Sequence, residues 1–196
     1  MTAAEQLRVS YADYLTAEAT AVERHEYLRG EVFAMSGGTP EHSLLSLAAG
    51  RELSNALRGK PCLVFESNMR LRNADADFSC YPDASVVCGA IGHAPDDSLA
   101  ISNPVLVIEV LSDSTEAYDR GTKSSQYRAF SSVKEIVLIS QKTQQIEIQR
   151  RNAQGLFVVH EFGPGSTVEF ESVGVSVAIA DLYRDLVEYR RLASLS

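Results

Sequence analysis

The sequence predicts a mixed α/β fold, in which helices flank a central sheet and antiparallel strands extend it toward the C-terminus. The first observation is the apolar run from Val105 to Leu111, in which Glu109 is the one charged residue and which is typical of a strand buried on both faces. A helical stretch over 116–130 and an apolar strand over 134–141 follow, and a helix between two strands is the layout of a parallel crossover. Over 144–151 polar and apolar residues alternate, which indicates an antiparallel strand with one face in water.

The other elements follow from caps, turns and hydrophobic periodicity. The elements predicted before this region are a helix over 10–21, strands over 24–28 and 31–36, a helix over 39–57, and strands over 62–71 and 81–88. The elements predicted after it are strands over 156–162 and 167–170 and a helix that Asp181 caps. The intervals 72–79 and 89–102 are expected to be connections.

The two helices of the N-terminal part have clear start signals. Ser10 and Thr39 are the predicted N-caps, and Pro40 follows Thr39 at the first helical position, where a missing N–H costs nothing. On the second helix His42 falls on the same side as Leu45. We therefore expect His42 to lie along an apolar stripe and not in open solvent.

Length and composition are those of a globular protein. A chain of 196 residues suits a single domain spanning 1–196. No stretch approaches the roughly 20 apolar residues of a transmembrane helix, and the N-terminus lacks the layout of a signal peptide, so we expect a cytoplasmic location. The formal net charge of −8 argues against a large non-specific nucleic-acid surface. It leaves room for a local basic groove or for a cation that offsets the acid.

The three cysteines, Cys62, Cys80 and Cys88, form no Cys-x-x-Cys pair. Their spacing argues against a zinc ribbon and against a redox motif. Because an odd number of cysteines in a reducing compartment is typical of free thiols, we expect all three to be free and buried.

Glu109 is the residue on which the functional argument depends. It interrupts the buried strand, where a carboxylate loses its hydration unless a cation, a metal or a proton compensates. Asp83 stands near the start of a second apolar strand, so strand pairing can bring the two carboxylates together. Close carboxylates raise each other's pKa unless a cation intervenes, and such oxygen-rich sites suit Mg²⁺ or Mn²⁺. Lys123, on the following helix, can reach both if its face packs on the sheet.

Several segments resemble the Uma family of restriction-endonuclease-like proteins, which belongs to the PD-(D/E)XK nuclease superfamily. The matching residues are Pro82-Asp83, the segment IEVLSDST over 108–115, Asp119, Lys123, Tyr127, His25-Glu26-Tyr27, Gly30-Glu31, Met35 and His42. The resemblance extends from about Glu26 to Val159. Its most specific part is the 108–115 segment with the lysine and tyrosine that follow.

This resemblance implies a restriction-endonuclease-like fold and a divalent-metal-dependent nuclease, with DNA as the expected substrate and a homodimer as the expected assembly. The catalytic set that it implies is Asp83, Glu109, Lys123, Glu26 and His42, of which the first two bind Mg²⁺ or Mn²⁺. The implied chemistry is in-line attack on a phosphodiester by a water whose pKa the metal lowers.

The chain departs from the family pattern at positions around this set. In the wider nuclease superfamily the lysine usually stands two residues after the strand acid, where this chain has Leu111, so Lys123 on the next helix would take its place. An aromatic pair is replaced by Ile136-Val137, the strand ends in Ser140 instead of Asp, and Arg29 stands at another usual Asp. These differences leave the two acids and the lysine in place.

A different class of function stays open on the sequence alone. Glu109 and Lys123 can form a buried ion pair that only stabilises the fold, in a non-catalytic interaction module that retains the nuclease architecture. Asp83 can cap a turn, His42 can be a core histidine, and Glu26 can belong to a solvated face. The acidic net charge favours the module, whereas the complete set in apolar surroundings favours the enzyme.

Overall fold

The computed structural model describes residues 8–35 and 37–195 of the protein. The helices are α1 Tyr11–Glu18, α2 Pro40–Ala56, α3 Glu116–Tyr118, α4 Ser124–Arg128 and α5 Ile179–Ala193, and a π-helical turn, Asp119–Lys123, joins α3 to α4 into one crossover helix. The strands are β1 His25–Leu28, β2 Glu31–Ala34, β3 Cys62–Glu66, β4 Leu71–Asn73, β5 Phe78–Cys80, β6 Ala84–Cys88, β7 His93–Ala94, β8 Asp97–Ile101, β9 Leu106–Leu111, β10 Glu135–Ser140, β11 Ile146–Arg151, β12 Phe157–Phe162, β13 Thr167–Phe170 and β14 Val175–Ala178. Ser36, the end of the strand predicted over 31–36, lies outside the described residues.

Two sheets of six strands organise the described part of the chain. The central sheet has the strand order β12-β11-β10-β9-β6-β3, the outer sheet has the order β2-β1-β5-β4-β8-β7, and β13 and β14 form a separate hairpin. In the central sheet β9 and β10 run parallel, with the crossover helix between them, and the other pairs are antiparallel. The predicted mixed α/β fold with an antiparallel C-terminal extension is therefore confirmed.

The central sheet separates two apolar cores, and β9 contributes to both because its residues alternate in direction. All six residues of β9 are buried. Ile108 and Val110 pack in the core that contains α2 and α5, whereas Val107 and Leu111 pack in the core that contains the outer sheet and the crossover helix. Glu109 lies between Ile108 and Val110 in sequence, so its side chain points with Val107 and Leu111 toward the crossover helix.

The N-caps predicted for the first two helices are confirmed, and the N-cap predicted for the C-terminal helix is wrong. Ser10 and Thr39 each accept a hydrogen bond from the backbone N–H three residues further on, as N-caps do. The N-cap of α5 is Ala178, and Asp181 lies within the first turn, where its carboxylate interacts favourably with the positive end of the helix dipole. Within the described ranges, every helix is too short or too polar to cross a membrane.

The strand predictions around the outer sheet are wrong in three places. The strand predicted over 62–71 is divided between β3 and β4, which belong to different sheets. The chain turns after Glu66, whose carbonyl accepts a hydrogen bond from the N–H of Met69. The connection predicted over 72–79 contains parts of β4 and β5, and the one predicted over 89–102 contains β7 and β8. These strands have two to five residues, too few for alternation to be a clear signal.

Cys62 and Cys88 form a disulfide, so the expectation of three free thiols is wrong. The two residues are directly opposed in the antiparallel pair of β3 and β6. Cys80 is free and buried, as predicted. The spacing did not reveal the bond because the partners are 26 residues apart and meet only through the register of these two strands.

The disulfide gives a stability prediction. We expect the double variant Cys62→Ser/Cys88→Ser to unfold with a free energy lower by about 3.5 kcal/mol, because the bond restricts a loop of the unfolded chain. Urea denaturation of the oxidised wild type and the double variant measures the loss, and the reduced wild type should resemble the variant. Equal stability of oxidised and reduced wild type would contradict the prediction.

Candidate active site

Strand pairing places Asp83 across from Glu109. β6 and β9 pair antiparallel with Ala84 opposite Ile108, and the same register extended by one residue sets the two acids opposite each other. Oδ2 of Asp83 accepts a hydrogen bond from the N–H of Val110 at 2.7 Å, which fixes the carboxylate against β9. The side chain of Glu109 points toward the crossover helix, whereas the carboxylate of Asp83, at the bend before β6, contacts β9 and Ser46 of α2, and both side chains line the same cavity.

The first turn of α2 brings His42 to Asp83. Nε2 of His42 lies 3.2 Å from Oδ2 of Asp83. The hydrogen bond to Asp83 raises the pKa of His42 above its ordinary value, against the opposing effect of burial. His42 is half-buried, so the expectation that it avoids open solvent is confirmed, but it faces the cavity whereas Leu45 packs in the apolar core.

Glu109 and Lys123 form a buried ion pair. Nζ of Lys123 lies 2.9 Å from Oε1 of Glu109, and the hydroxyl of Tyr127 donates a hydrogen bond to the same oxygen. Burial raises the pKa of Glu109 to about 8, although Lys123 acts to lower it. Burial acts against the charge of Lys123, but the carboxylates of Glu109 and Glu26 hold its pKa well above the ordinary value. Lys123 is therefore a fixed cation and does not serve as a proton acceptor near neutral pH.

Glu26 forms a second ion pair with Lys123. Its Oε1 lies 2.7 Å from Nζ of Lys123, and its Oε2 accepts a hydrogen bond from the hydroxyl of Tyr118 at 3.1 Å. Glu26 reaches this position from β1 of the outer sheet and is only 4% exposed. It does not belong to a solvated face.

Tyr118 is a site residue that the sequence analysis missed, and the π-helical turn explains why. In a regular α-helix, residues five apart point in different directions. In the turn, the N–H of Ser124 donates to the carbonyl of Asp119 five residues earlier, which widens the helix locally. Tyr118 and Lys123 can then both contact Glu26. The only sequence signal for the turn is Gly121, and one glycine in a helical stretch is a weak indication.

The residues predicted for the site line one cavity of about 420 Å³, and they are Glu26, His42, Asp83, Glu109 and Lys123. The buried carboxylate of Asp119 lines the cavity as well. Of the described residues that line it, four are acids, one is a lysine and one is a histidine. Such an excess of carboxylates in a largely buried space requires either protons or a further cation.

The two opposed acids fit a divalent metal ion of the Mg²⁺ type. Oε1 of Glu109 is engaged by Lys123 and Tyr127, but among the described residues Oε2 accepts no hydrogen bond. Within the described part of the chain, Oδ1 of Asp83 has only a long contact of 3.5 Å, to Ser46. Across residues 8–35 and 37–195, no group of three or more His, Cys, Asp or Glu side chains is arranged to hold a metal. Two carboxylates completed by water and substrate oxygens suit Mg²⁺ or Mn²⁺, whereas a closed zinc site needs more protein ligands.

The raised pKa of Glu109 predicts that the metal-free protein loses stability as the pH rises from about 5 to about 8. An unfolded glutamate has a pKa of about 4.3, so in this window the folded state binds more protons than the unfolded state. The free energy of unfolding then falls by up to about 1.4 kcal/mol per pH unit. Glu109→Gln removes this titration and should flatten the slope.

Urea denaturation in EDTA at both ends of this pH window measures the slope. The matched control is Glu31→Gln, which changes an exposed glutamate of β2 and should keep the wild-type slope. Equal slopes in the wild type and Glu109→Gln would contradict the prediction.

Comparisons with known proteins agree with this architecture. Residues 11–180 match the Uma2 family, which is described as “Putative restriction endonuclease”. Two uncharacterised proteins of Synechocystis sp. are similar: one is 32% identical over 182 residues, covering 91% of this chain and 93% of the relative, and the other is 29% identical over 160 residues, covering 81% and 90%. The fold is similar to a crystal structure from Anabaena variabilis described as a “putative nuclease belonging to DUF820”, with a TM-score of 0.71, 18% identity, and coverage of 90% of this chain and 98% of that chain. At that identity the likeness supports the fold alone.

Proposed function

This chain belongs to the Uma2 family, and on that premise we propose that it is a divalent-metal-dependent nuclease that hydrolyses phosphodiester bonds in DNA. The observation that carries the proposal is the arrangement of Asp83, Glu109 and Lys123, with two carboxylates on opposed strand positions and a fixed cation beside one of them. In-line hydrolysis of a phosphodiester needs a metal site and a positive charge for the transition state. This cavity offers residues suited to both.

Each residue of the site has a distinct role in this proposal. Asp83 and Glu109 hold Mg²⁺ or Mn²⁺, and the bound ion supplies a lowered water pKa and charge neutralisation at the phosphate. Lys123 stabilises the negative charge that develops on the phosphate in the transition state. Glu26 holds the ammonium of Lys123 in position, and His42 orients the carboxylate of Asp83 through Nε2.

Metal dependence of cleavage tests the proposal. We expect the purified protein to cleave labelled DNA, offered as single strands and as duplex, in Mg²⁺ or Mn²⁺ and to be inactive in EDTA. Restoring Mg²⁺ after EDTA treatment should restore the rate, which separates metal removal from denaturation. Failure to cleave any DNA or RNA substrate in either metal would contradict the proposal.

A second candidate is a non-catalytic interaction module, which is favoured by the two ion pairs that Lys123 makes with Glu26 and Glu109. In such a module the charges of Glu26, Glu109 and Lys123 only stabilise the fold. The triple variant Glu26→Gln/Glu109→Leu/Lys123→Met removes all of them, and a module should keep its fold and its partner binding. Cleavage by the wild type, lost in the triple variant, would exclude this candidate.

A homodimer and a cytoplasmic location belong to the same proposal. β12 is the last strand at one edge of the central sheet and exposes Val158 and Val159, and the exposed Leu156 precedes it. An apolar edge strand is suited to pairing with a second copy of the chain. Sedimentation equilibrium should therefore give the mass of two chains, and the Val159→Lys variant should have a mass closer to that of one chain.

A cytoplasmic location would give a nuclease access to DNA.

A further inference from the structure

One face of the β1–β2 hairpin turns toward the cavity. Glu26 and Phe33 are directly opposed in the pairing of β1 with β2. The N–H of Met35 donates to the carbonyl of Arg24 at 2.9 Å, which extends this pairing by one position. Alternate residues of a strand point to the same side, so Arg24, Glu26, Phe33 and Met35 form one surface, called the hairpin face below. Three of these residues line the cavity, and Arg24 stands at its rim beside the ring of Tyr81.

Phe33 presents an open aromatic surface next to the acidic site. It is 38% exposed although it lines the cavity. The ring of Tyr118 lies against it, with the centroids 6.2 Å apart, and Tyr118 is itself held by its hydrogen bond to Glu26. The ring of Phe33 therefore contacts a fixed tyrosine ring and stays partly accessible. A supported, accessible ring is what stacking with a planar base requires.

Arg24 is an exposed cation that forms no ion pair with any described carboxylate. Its guanidinium donates a hydrogen bond to Oδ1 of Asn68 at 2.9 Å and lies 5.1 Å from the ring centre of Tyr81. Arg70, which contacts the same tyrosine, is neutralised by Asp97. The guanidinium of Arg24 thus keeps donors for a phosphate, which Arg binds in bidentate geometry.

We propose that the hairpin face is a subsite for one unpaired nucleotide of the DNA strand, with its base stacked on Phe33 and a phosphate bound by Arg24. The inference rests on the proposed nuclease function and adds the substrate class, a strand with unpaired bases. In a double helix the neighbouring bases cover each base face, so an aromatic side chain stacks only on a base outside the stack. The carboxylates of the cavity repel phosphate, and a cation at the rim offsets this repulsion.

Binding of a short oligothymidylate with a single 2-aminopurine base tests the aromatic contact. Ca²⁺ replaces Mg²⁺ so that binding is measured without cleavage, by fluorescence anisotropy and by quenching of the 2-aminopurine. Phe33→Ala should raise Kd about ten-fold or more and remove the quenching. Phe33→Leu, which keeps an apolar side chain but no aromatic ring, should also remove the quenching of the 2-aminopurine. The matched control is Val32→Ala, because Val32 is 40% exposed on the opposite side of the same strand and should leave both readouts unchanged.

The salt dependence of binding tests the phosphate contact. Arg24→Gln should weaken binding and reduce the slope of log K against log salt by about 0.7, the contribution of one phosphate contact on a single strand. The control is Arg58→Gln, an exposed arginine just beyond the C-terminal end of α2, which should leave the slope unchanged.

The outcomes separate this inference from the proposed function. If the wild type cleaves DNA but Phe33→Ala binds as tightly as Val32→Ala, the subsite is wrong and the nuclease proposal stands. Tighter wild-type binding to duplex than to single strand would also overturn the subsite. If the wild type neither cleaves nor binds DNA, the proposed function fails and the subsite fails with it.

Discussion

Replacing Lys123 with Met is expected to lower the free energy of unfolding by about 3–5 kcal/mol at pH 8, the usual cost of removing one partner from a buried ion pair. The loss is large because Lys123 faces Glu26 at 2.7 Å and Glu109 at 2.9 Å, and both carboxylates are 4% exposed. Without the ammonium, each acid must stay charged in a low-dielectric space or take up a proton.

The pH dependence of Lys123→Met identifies the cause of the loss. Lys123 acts to lower the pKa of Glu109, so removing the cation raises that pKa further. Glu109 then binds a proton as the pH falls, and the loss of stability should shrink toward pH 5. Urea denaturation of the wild type and of Lys123→Met at pH 8 and pH 5 measures the loss of stability at each pH. Lys142→Met is the control, because Lys142 pairs with Asp113 on the surface and exposed pairs contribute little. A small loss at pH 8, or one that does not change with pH, would contradict the account.

Asp83→Asn is expected to reduce cleavage about a thousand-fold, since the proposed metal site loses a charged ligand. Asparagine has nearly the shape of aspartate and can still accept the hydrogen bond from Val110, so the fold should persist. Its amide has no negative charge and only one acceptor oxygen, which weakens binding of a divalent ion.

Initial cleavage rates in Mg²⁺ measure the effect of Asp83→Asn, with thermal unfolding as the check on folding. The control Asp113→Asn makes the same chemical change at an exposed residue and should cleave at the wild-type rate. A rate for Asp83→Asn within a few-fold of the wild type would remove Asp83 from the proposed metal site.

The sequence predicted the elements whose signals are local. The apolar run of β9, the crossover and the N-caps at Ser10 and Thr39 depend only on periodicity or on a residue type at one position, and the structure contains them. The sequence alone could not determine that Asp83 and Glu109 lie opposite each other, because this depends on the register between β6 and β9.

Features that depend on long-range register or on an irregular helix could not be predicted. The Cys62–Cys88 bond needs the pairing of β3 with β6, which nothing in the cysteine spacing indicates. Tyr118 contacts Glu26 from the residue before a π-helical turn, where counting by the α-helical period misplaces side chains. The outer sheet brings Glu26 to Lys123 through strands too short for a clear alternating pattern.

A crystal of the wild type soaked in Mn²⁺ shows whether Asp83 and Glu109 together bind a divalent metal ion. An anomalous difference map should show a peak between the two carboxylates, and the same soak of Asp83→Asn should show it weakened or absent. A Mn²⁺-saturated wild-type crystal in which the peak lies elsewhere, or in which the ammonium of Lys123 remains the sole cation at these acids, would exclude this metal site.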